Sequence, residues 1–576
     1  MDFVISNKEI NGFQREIKAN KTINVYYHTN NYVKERELFY DDEEITVLAD
    51  ANIAFIYQVK SKKITKKRII NEIDHLTNGY IILIEKKNKN IYLYNDIFGF
   101  YHVFYLKNNS NIVISNRFDE LIKKSKKELD YYSFLDVILF NYTLIDRTTL
   151  IDVKRIKGGS ITKINEKKSF TTEVNYNYAD IFNQTQSIKL DEIQLSHYLK
   201  NALKNNLASN ENNILTMTAG FDSRIILSLL CNQKLIFESI TFGQKGNIEI
   251  ETIKPFIDNY SSHHKLIELD SQYINNIERT LSNYIKYTLD SPISLDLPHY
   301  LYIKDCIKPS NFITGFMGGE MLSGQSIGAQ ITFTEFAGFL LTSKNGHDFE
   351  KIVLNNIKIL QVINIDFLTT FITDYIYTLN EYFYEAGQKN FLRFLINEKY
   401  AKFFGAINKV FKNHSNIVTP FMDKSVLDII LNSNLSFLIK EPFQKKPIVN
   451  FKVKSLQARI VSNCCSGLSK TKLDRLYSIN DLSNYYRFPQ VALGYFKSHY
   501  LKSNKKNYPK PLDYDNWYRK KIINDIDNIK NPKIMNLITT NTDTPLKKLY
   551  DTSSYPYKKK YANIMSFNLA YNRIIK

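Results

Sequence analysis

Cysteine is scarce in this chain. The four residues Cys231, Cys306, Cys464 and Cys465 form neither a Cys-x-x-Cys zinc pattern nor the dense framework of a small secreted domain. The adjacent Cys464–Cys465 pair reads as packing rather than chemistry. No basic segment followed by an apolar run stands at Met1–Glu9, and no unbroken apolar stretch reaches the roughly 20 residues of a membrane helix. A cytoplasmic chain with no membrane span is the expectation. Acidic residues are also in deficit, 58 against 77 Lys and Arg, for a net charge of +19. Such a balance suits nucleic acid, an anionic membrane or an acidic substrate. The lysines are spread along the chain rather than gathered in one stripe, which disfavours nucleic acid.

A chain of 576 residues exceeds one hydrophobic core and points to two or three domains. Apolar residues make up 44% and aromatics 14%, ample for folded cores over most of the length. The first 180 residues read mostly as strands: Ile23–Tyr27, Ile45–Leu48, Ala51–Tyr57, Tyr80–Ile84, Ile91–Tyr94 and Asn111–Ser115. Asn78-Gly79 introduces one of them, and Lys87–Asn90 turns it back on the next. An antiparallel, sheet-rich domain is expected, followed by a polar linker over 181–189.

The rest of the chain is organised around the stretch Asn213–Leu230. Ile214–Met217 reads as a short buried strand, Thr218–Ser223 as a small-residue turn, and Ile225, Ile226, Leu229 and Leu230 as the buried face of a helix. Such a turn offers orphan N–H donors and a helix dipole to an anion. Thr218 and Ser223 add hydroxyls, Gly220 permits close approach, and Asp222 suits the magnesium that accompanies a nucleotide. An ordinary strand–turn–helix corner has the same local pattern. No Gly-Lys-Ser/Thr comes after it, so this is not a Walker loop. Strands at Leu235–Gly243 and His264–Leu269, with a helix around 248–260 between them, make strand–helix alternation and therefore a parallel sheet.

Thr218-Ala219-Gly220-Phe221-Asp222-Ser223 resembles the pyrophosphate loop of the asparagine synthetase family, Ser-Gly-Gly-x-Asp-Ser. A second resemblance lies upstream. Asn78–Ile84, Tyr94–Tyr105 with Asp96-Ile-Phe-Gly99, Ile112–Leu121 and Thr149–Ser160 are similar, in order and spacing, to that family's N-terminal class II glutamine amidotransferase domain. That domain requires a cysteine at position 2 as nucleophile. Here position 2 is Asp2 and no cysteine precedes Cys231, so glutamine hydrolysis is not expected. A scaffold lacking its nucleophile is the pattern of β-lactam synthetases and lasso-peptide cyclases.

The resemblance implies further assignments. Thr241-Phe242-Gly243 is similar to the strand end that contacts adenine, and Asn311–Gly324 to a motif whose Asp helps hold magnesium. Gly315 belongs to that motif, Gly319 occupies the Asp position, and Glu320 comes directly after it. Thr419-Pro-Phe-Met-Asp423 is similar to a structural Pro-Phe-x-Asp segment. A downstream lysine neutralises the acyl-adenylate; Lys452, Lys454, Lys470 and Lys472 are all available, with Lys454 the working assignment.

The implied architecture is an α+β antiparallel domain over 1–185, an α/β ATP-pyrophosphatase domain with extensive helical additions over 190–480, and a basic Tyr/Lys-rich extension over 481–576. The implied chemistry is an ATP-dependent, AMP-forming amide ligation. Asp222, Glu320 and Lys454 are catalytic, Asp222 and Glu320 hold Mg2+, and Thr218, Ala219, Gly220, Phe221, Ser223, Thr241, Phe242, Gly243 and Gly315 bind ATP. A small-molecule or peptide carboxylate is the substrate, with a precursor peptide or pathway protein as partner. Ammonia-dependent amidation, a nucleotide-binding RNA-modifying enzyme, and a pseudoenzyme that binds a partner remain alternatives. The last is favoured by Ala219 and Gly319, where the family has Gly and Asp.

Overall fold

The computed structural model describes residues 1–576 apart from 30–32, 109–110, 168, 175–187, 293–296, 324–349, 357–363, 383–387, 437–446, 474–476, 501–508, 515–516, 518–528, 539–547 and 549–554. The linker expected at 181–189 and the end of the glycine motif at Gly324 fall mostly or wholly outside the described residues.

Among the described residues, twelve strands build the N-terminal region: β1 Asp2–Ser6, β2 Arg15–Lys18, β3 Asn24–His28, β4 Glu37–Asp41, β5 Ile45–Ala51, β6 Gly79–Glu85, β7 Asn90–Asn95, β8 Phe104–Lys107, β9 Ile112–Ser115, β10 Val153–Arg155, β11 Ser160–Ile164 and β12 Phe170–Val174. They form two six-stranded sheets, ordered β10-β8-β9-β1-β3-β2 and β12-β11-β7-β6-β5-β4. Every pairing is antiparallel. Alternation along the strands decides the layers. In β6, Tyr80, Ile82 and Ile84 point to a core between the sheets with Phe3, Ile5 and Ile114, while Ile81 and Leu83 point to an outer core with Phe55, Ile56 and Val59. Each such fully buried Ile or Leu contributes about 1.5–3 kcal/mol.

Ala51–Tyr57 is not a strand beyond its first residue. A helix, Ile53–Lys60, begins there and buries Phe55, Ile56 and Val59, at helical spacing, while Tyr57 is exposed. A short apolar run reads as either element until the spacing of its buried positions is known. Gly79 closes the same corner: its φ is +137° and an added Cβ would lie 2.0 Å from the Asp50 carbonyl oxygen.

The second region carries five parallel strands: β13 Asn213–Thr216, β14 Glu238–Gly243, β15 His264–Glu268, β16 Asn311–Ile313 and β17 Asn416–Val418. Their order is β15-β14-β13-β16-β17. The helix Phe221–Asn232 crosses from β13 to β14 and buries Ile225, Ile226, Leu229 and Leu230 completely. The helix after β14 is shorter than expected, Ile248–Ile253, with a single 3-10 turn at Ile257–Asn259. Helices also fill much of 365–411, as Ile365–Tyr382, Gln388–Phe394, a π-helical turn Leu395–Tyr400, and Ala401–Phe411.

Buried and half-buried polar contacts join the two regions. Asp2 pairs with Lys412 at 2.5 Å, His102 Nδ1 with Asp290 at 3.2 Å, and Tyr375 Oη donates to Asp136 at 2.9 Å. The segment after 481 takes part in both. Trp517 packs edge-on against Tyr273 at 5.3 Å, and the helix Tyr555–Ile575 lies on the helix Tyr131–Phe140, with Phe567 against Phe134 and the Lys560 ammonium donating to the carbonyls of Ile138 and Leu139. Among the described residues, no helix is long and apolar enough to cross a membrane.

Candidate functional site

From β13 the chain crosses to β14 and then β15 on one side; β16 and β17 lie on the other. The strand order therefore reverses between β13 and β16, and a crevice opens beyond their carboxyl ends. Two turns line it, Met217–Gly220 after β13 and Thr314–Met317 after β16.

Side-chain hydroxyls hold the first turn in shape. Ser223 Oγ accepts from the Thr218 N–H at 3.2 Å and lies 3.1 Å from Thr218 Oγ1, which in turn accepts from the Gly220 N–H at 3.2 Å. Gly220 is the N-cap of the helix Phe221–Asn232 and supplies no side-chain cap to its first turn. Ala219 is buried, Phe221 half-buried and Gly220 exposed, so the turn presents its backbone to the crevice.

Asp222, in the first turn of that helix, is the centre of the site. Its Oδ2 accepts from the Gly319 N–H at 2.7 Å and its Oδ1 from the Gln457 amide at 3.2 Å. Burial, and then the charge of Glu320, push its carboxyl up to about 7, against the pull of those two donors. The second turn wraps closely around it. A Cβ at Gly315 would lie 2.9 Å from the Asp222 carbonyl carbon, one at Gly318 2.7 Å from its Cγ, and one at Gly319 3.1 Å from its Oδ2. Met317, buried and at φ +72°, sits in left-handed backbone between them. Gly319 therefore does not leave a gap where the resemblance calls for Asp: its N–H occupies one oxygen of Asp222.

Glu320 lies on the short helix Gly318–Ser323, where its charge also reaches Lys399 and Tyr400. Burial drives the Lys399 ammonium down to about 8; Glu320 opposes that shift and Lys559 of the C-terminal helix adds to it. Lys399 was not identified in the sequence, nor was Gln457. Each stands among other polar residues, Asn397, Glu398 and Lys402 around Lys399 and Lys454, Ser455 and Arg459 around Gln457, so no local signal sets it apart.

Lys454 lies one turn before Gln457 on the helix Pro447–Cys464, so it shares the helix face that reaches Asp222, and it is half-buried. Lys452, Lys470 and Lys472 are exposed. The Lys472 carbonyl and Thr471 Oγ1 accept from the fully buried Arg224, at 2.9 and 2.7 Å, anchoring that segment to the helix that carries Asp222.

Thr241, Phe242 and Gly243 end β14 beside the first turn. Thr241 is buried and its hydroxyl donates to the Met217 carbonyl at 2.9 Å, so it shapes the turn rather than presenting a free donor. Phe242 packs against His299 and Tyr300. Gly243, at φ +147°, lies under Pro511, whose carbonyl accepts from the Gln244 N–H at 3.0 Å; a Cβ would meet that carbonyl at 2.8 Å. The C-terminal segment thus covers this strand end.

On the other side of the second turn, a small open cleft lined by Phe316, Met317, Thr419 and Asp423 also touches Asn52, Thr77 and Asn78 of the N-terminal region. Among the described residues no group of three or more His, Cys, Asp or Glu is arranged to hold a metal on its own. No protein-family model matches this chain, and a search of curated proteins finds no match.

Proposed function

We propose that this protein is an ATP-dependent carbon–nitrogen ligase of the asparagine synthetase type, forming AMP and pyrophosphate. It activates a small-molecule or peptide carboxylate and joins it to an amine. The observation that carries this reading is Asp222: an acidic side chain in the first turn of a helix behind a small-residue turn, facing Glu320 across the switch point of a parallel sheet. A carboxylate is a poor acyl electrophile, and transfer to AMP gives it a good leaving group. The protein's work is to bind the pyrophosphate, screen its charge and hold the amine at the acyl carbon.

The donor set fits a magnesium ion shared with a nucleotide. Mg2+ takes one or two carboxylates and completes its shell with phosphate oxygens and water, and a carboxylate whose proton affinity is raised by burial and a neighbouring acid, as at Asp222, is relieved by a dication. Asp222 and Glu320 would hold it, and when bound it screens the pyrophosphate. The N–H of Ala219 and those of the first turn of the helix Phe221–Asn232 bind the anion, the Thr218 and Gly220 N–H groups being engaged by hydroxyls within the turn, and Lys454 and Lys399 add positive charge from two sides. The strand end Thr241–Gly243, under Pro511, is assigned to the base, with Thr241 acting through the backbone it fixes. The cleft beside Met317 receives the amine.

Residues 1–230 contain no cysteine, and Asp2 is ion-paired with Lys412. Both support an amine that this N-terminal region does not release from glutamine. The N-terminal sandwich is on this reading a retained amidotransferase-like scaffold. The test is product analysis with ATP, Mg2+ and a panel of acids and amines, with Asp222→Asn as control. AMP and pyrophosphate formed with one acid and lost in the control support the reading. A panel-wide absence of turnover, together with no ATP binding at high Mg2+, sinks it in favour of a partner-binding role.

A further inference from the structure

The C-terminal extension meets the end of β14 with side chains as well as with the Pro511 carbonyl. Tyr514 Oη is hydrogen-bonded to His299 Nδ1 at 3.2 Å, and the two ring centroids are 5.9 Å apart. Trp517, the only tryptophan of the sequence, is buried and lies edge-on to Tyr514 at 5.5 Å and to Tyr273 at 5.3 Å. Its N–H donates to the Asp513 carbonyl at 3.0 Å. A buried indole thus pins a turn of chain whose other end lies on Gly243 and Gln244.

The strand end receives that turn with its own polar groups already engaged. The Gly243 carbonyl accepts from the Leu269 N–H at 3.0 Å, and the Gln244 N–H donates to Pro511. The Gln244 carbonyl accepts from the Asn247 N–H at 3.2 Å and from its side-chain amide at 2.6 Å. A base arriving here therefore meets a ring rather than these groups. That ring is Phe242, half-buried, with its centroid 5.5 Å from His299 and 5.8 Å from Tyr300. His299 and Tyr300 are both buried, 4.4 Å apart, at the start of the helix His299–Cys306.

We infer that Pro511–Tyr514 forms the outer wall of the nucleotide-base site, and that Tyr514 is a positioning residue in it. Its hydroxyl fixes the rotation of the His299 imidazole, and that imidazole holds the Phe242 ring as the surface on which a flat heteroaromatic base stacks. Gly243 serves the same arrangement, since a Cβ there would lie 2.8 Å from the Pro511 carbonyl oxygen and push the wall away. The assignment rests on the ligase reading, and it gives the C-terminal extension a part in binding ATP. Base and phosphates are held by different elements, so the two contributions separate in a binding measurement.

The test uses full-length protein with Mg2+ and two probes: ATP, and inorganic tripolyphosphate, which carries the phosphates without a base. Tyr514→Phe is expected to raise the Kd for ATP about threefold to tenfold, and Tyr514→Ala to raise it further. Both should move the Kd for tripolyphosphate by less than about twofold. In turnover, the KM for ATP should rise with the Kd, and kcat should fall much less. Should Tyr514→Ala fail to fold, Tyr514→Phe, which keeps the ring, decides. Equal weakening of both probes, or wild-type ATP affinity in Tyr514→Phe, overturns the assignment. Wild-type protein that forms AMP while the variants bind ATP normally sinks the assignment alone, whereas wild-type protein that binds neither probe sinks the ligase reading with it.

Discussion

Asp50 and Asp222 show how the two regions treat a buried carboxylate. In the antiparallel sandwich, Asp50 sits 2.6 Å from the Met1 amine and 3.2 Å from Arg36. Burial works to raise its proton affinity, and the Met1 amine, Arg36 and Lys412 more than reverse it, holding the carboxyl well below the usual range. Asp96, in the same region and pushed up to about 7 by burial, has its oxygens facing the N–H groups of Gly79, Phe98, Phe100 and Tyr101, and staples a turn. At the parallel-sheet crevice, Asp222 has two neutral donors and a second acid, Glu320. The sandwich carboxylates are matched by cations and N–H donors, Lys412 of the second region among them. The crevice sets two acids together beside a turn that exposes its backbone, an arrangement that makes chemical sense with the cation and phosphate of the proposed reaction between them.

The contrast between the regions is tested most sharply at Asp222. Asp222→Asn is expected to lower AMP formation by about 10³-fold, the scale of losing a principal charge-stabilising group, with the circular dichroism spectrum unchanged. The same variant sharpens the electrostatic half. In metal-free protein, a carboxyl raised to about 7 binds a proton in the folded state between about pH 4 and 7, where the unfolded chain has released it. Its contribution to stability therefore falls as pH rises through that window. The melting temperature of Asp222→Asn should gain on the wild type from pH 4 to pH 8, and Mg2+ with ATP should narrow the gap.

Gly318→Ala is expected to come next. Its methyl would meet Asp222 Cγ at 2.7 Å and a Phe421 ring carbon at 2.9 Å, so overpacking of about 1–3 kcal/mol should accompany a large loss of activity. Gly319→Ala, 3.1 Å from Asp222 Oδ2, should cost less in both; equal losses would show that the close approach is not what the glycines provide.

Where the second region meets the sandwich, Lys412→Met strips Asp2 of its ion-pair partner and should lower stability by about 1–3 kcal/mol without altering the rate of AMP formation in folded protein. A matching fall in rate would erase the functional distinction between the regions. The smallest effect is expected at Lys399. Its ammonium, held near 8, loses its charge above that pH, so activity should decline there in the wild type and decline less in Lys399→Arg. Initial rates from pH 6 to pH 9.5 decide it.

The sequence was most informative where the physics is local. The strand, turn and helix over Asn213–Asn232 arise from apolar spacing and small residues within twenty positions, and the structure keeps their order, with the strand one residue earlier at each end and the helix opening at Phe221, inside the stretch read as turn. The alternating strands β5, β6, β7 and β9 arise in the same way. Ala51–Tyr57 misled because an apolar run of that length fits either period.

What this sequence determined by itself was therefore the succession of elements and one turn suited to an anion. The tertiary structure decided that Gly319 hands its N–H to Asp222, that Gln457, Lys399 and Lys559 approach from three helices, and that Pro511 covers the end of β14. The physical reason is distance along the chain. Hydrophobic periodicity is written into neighbouring residues, whereas the field at a carboxylate is the sum of groups that meet only after the sheet has set its strand order.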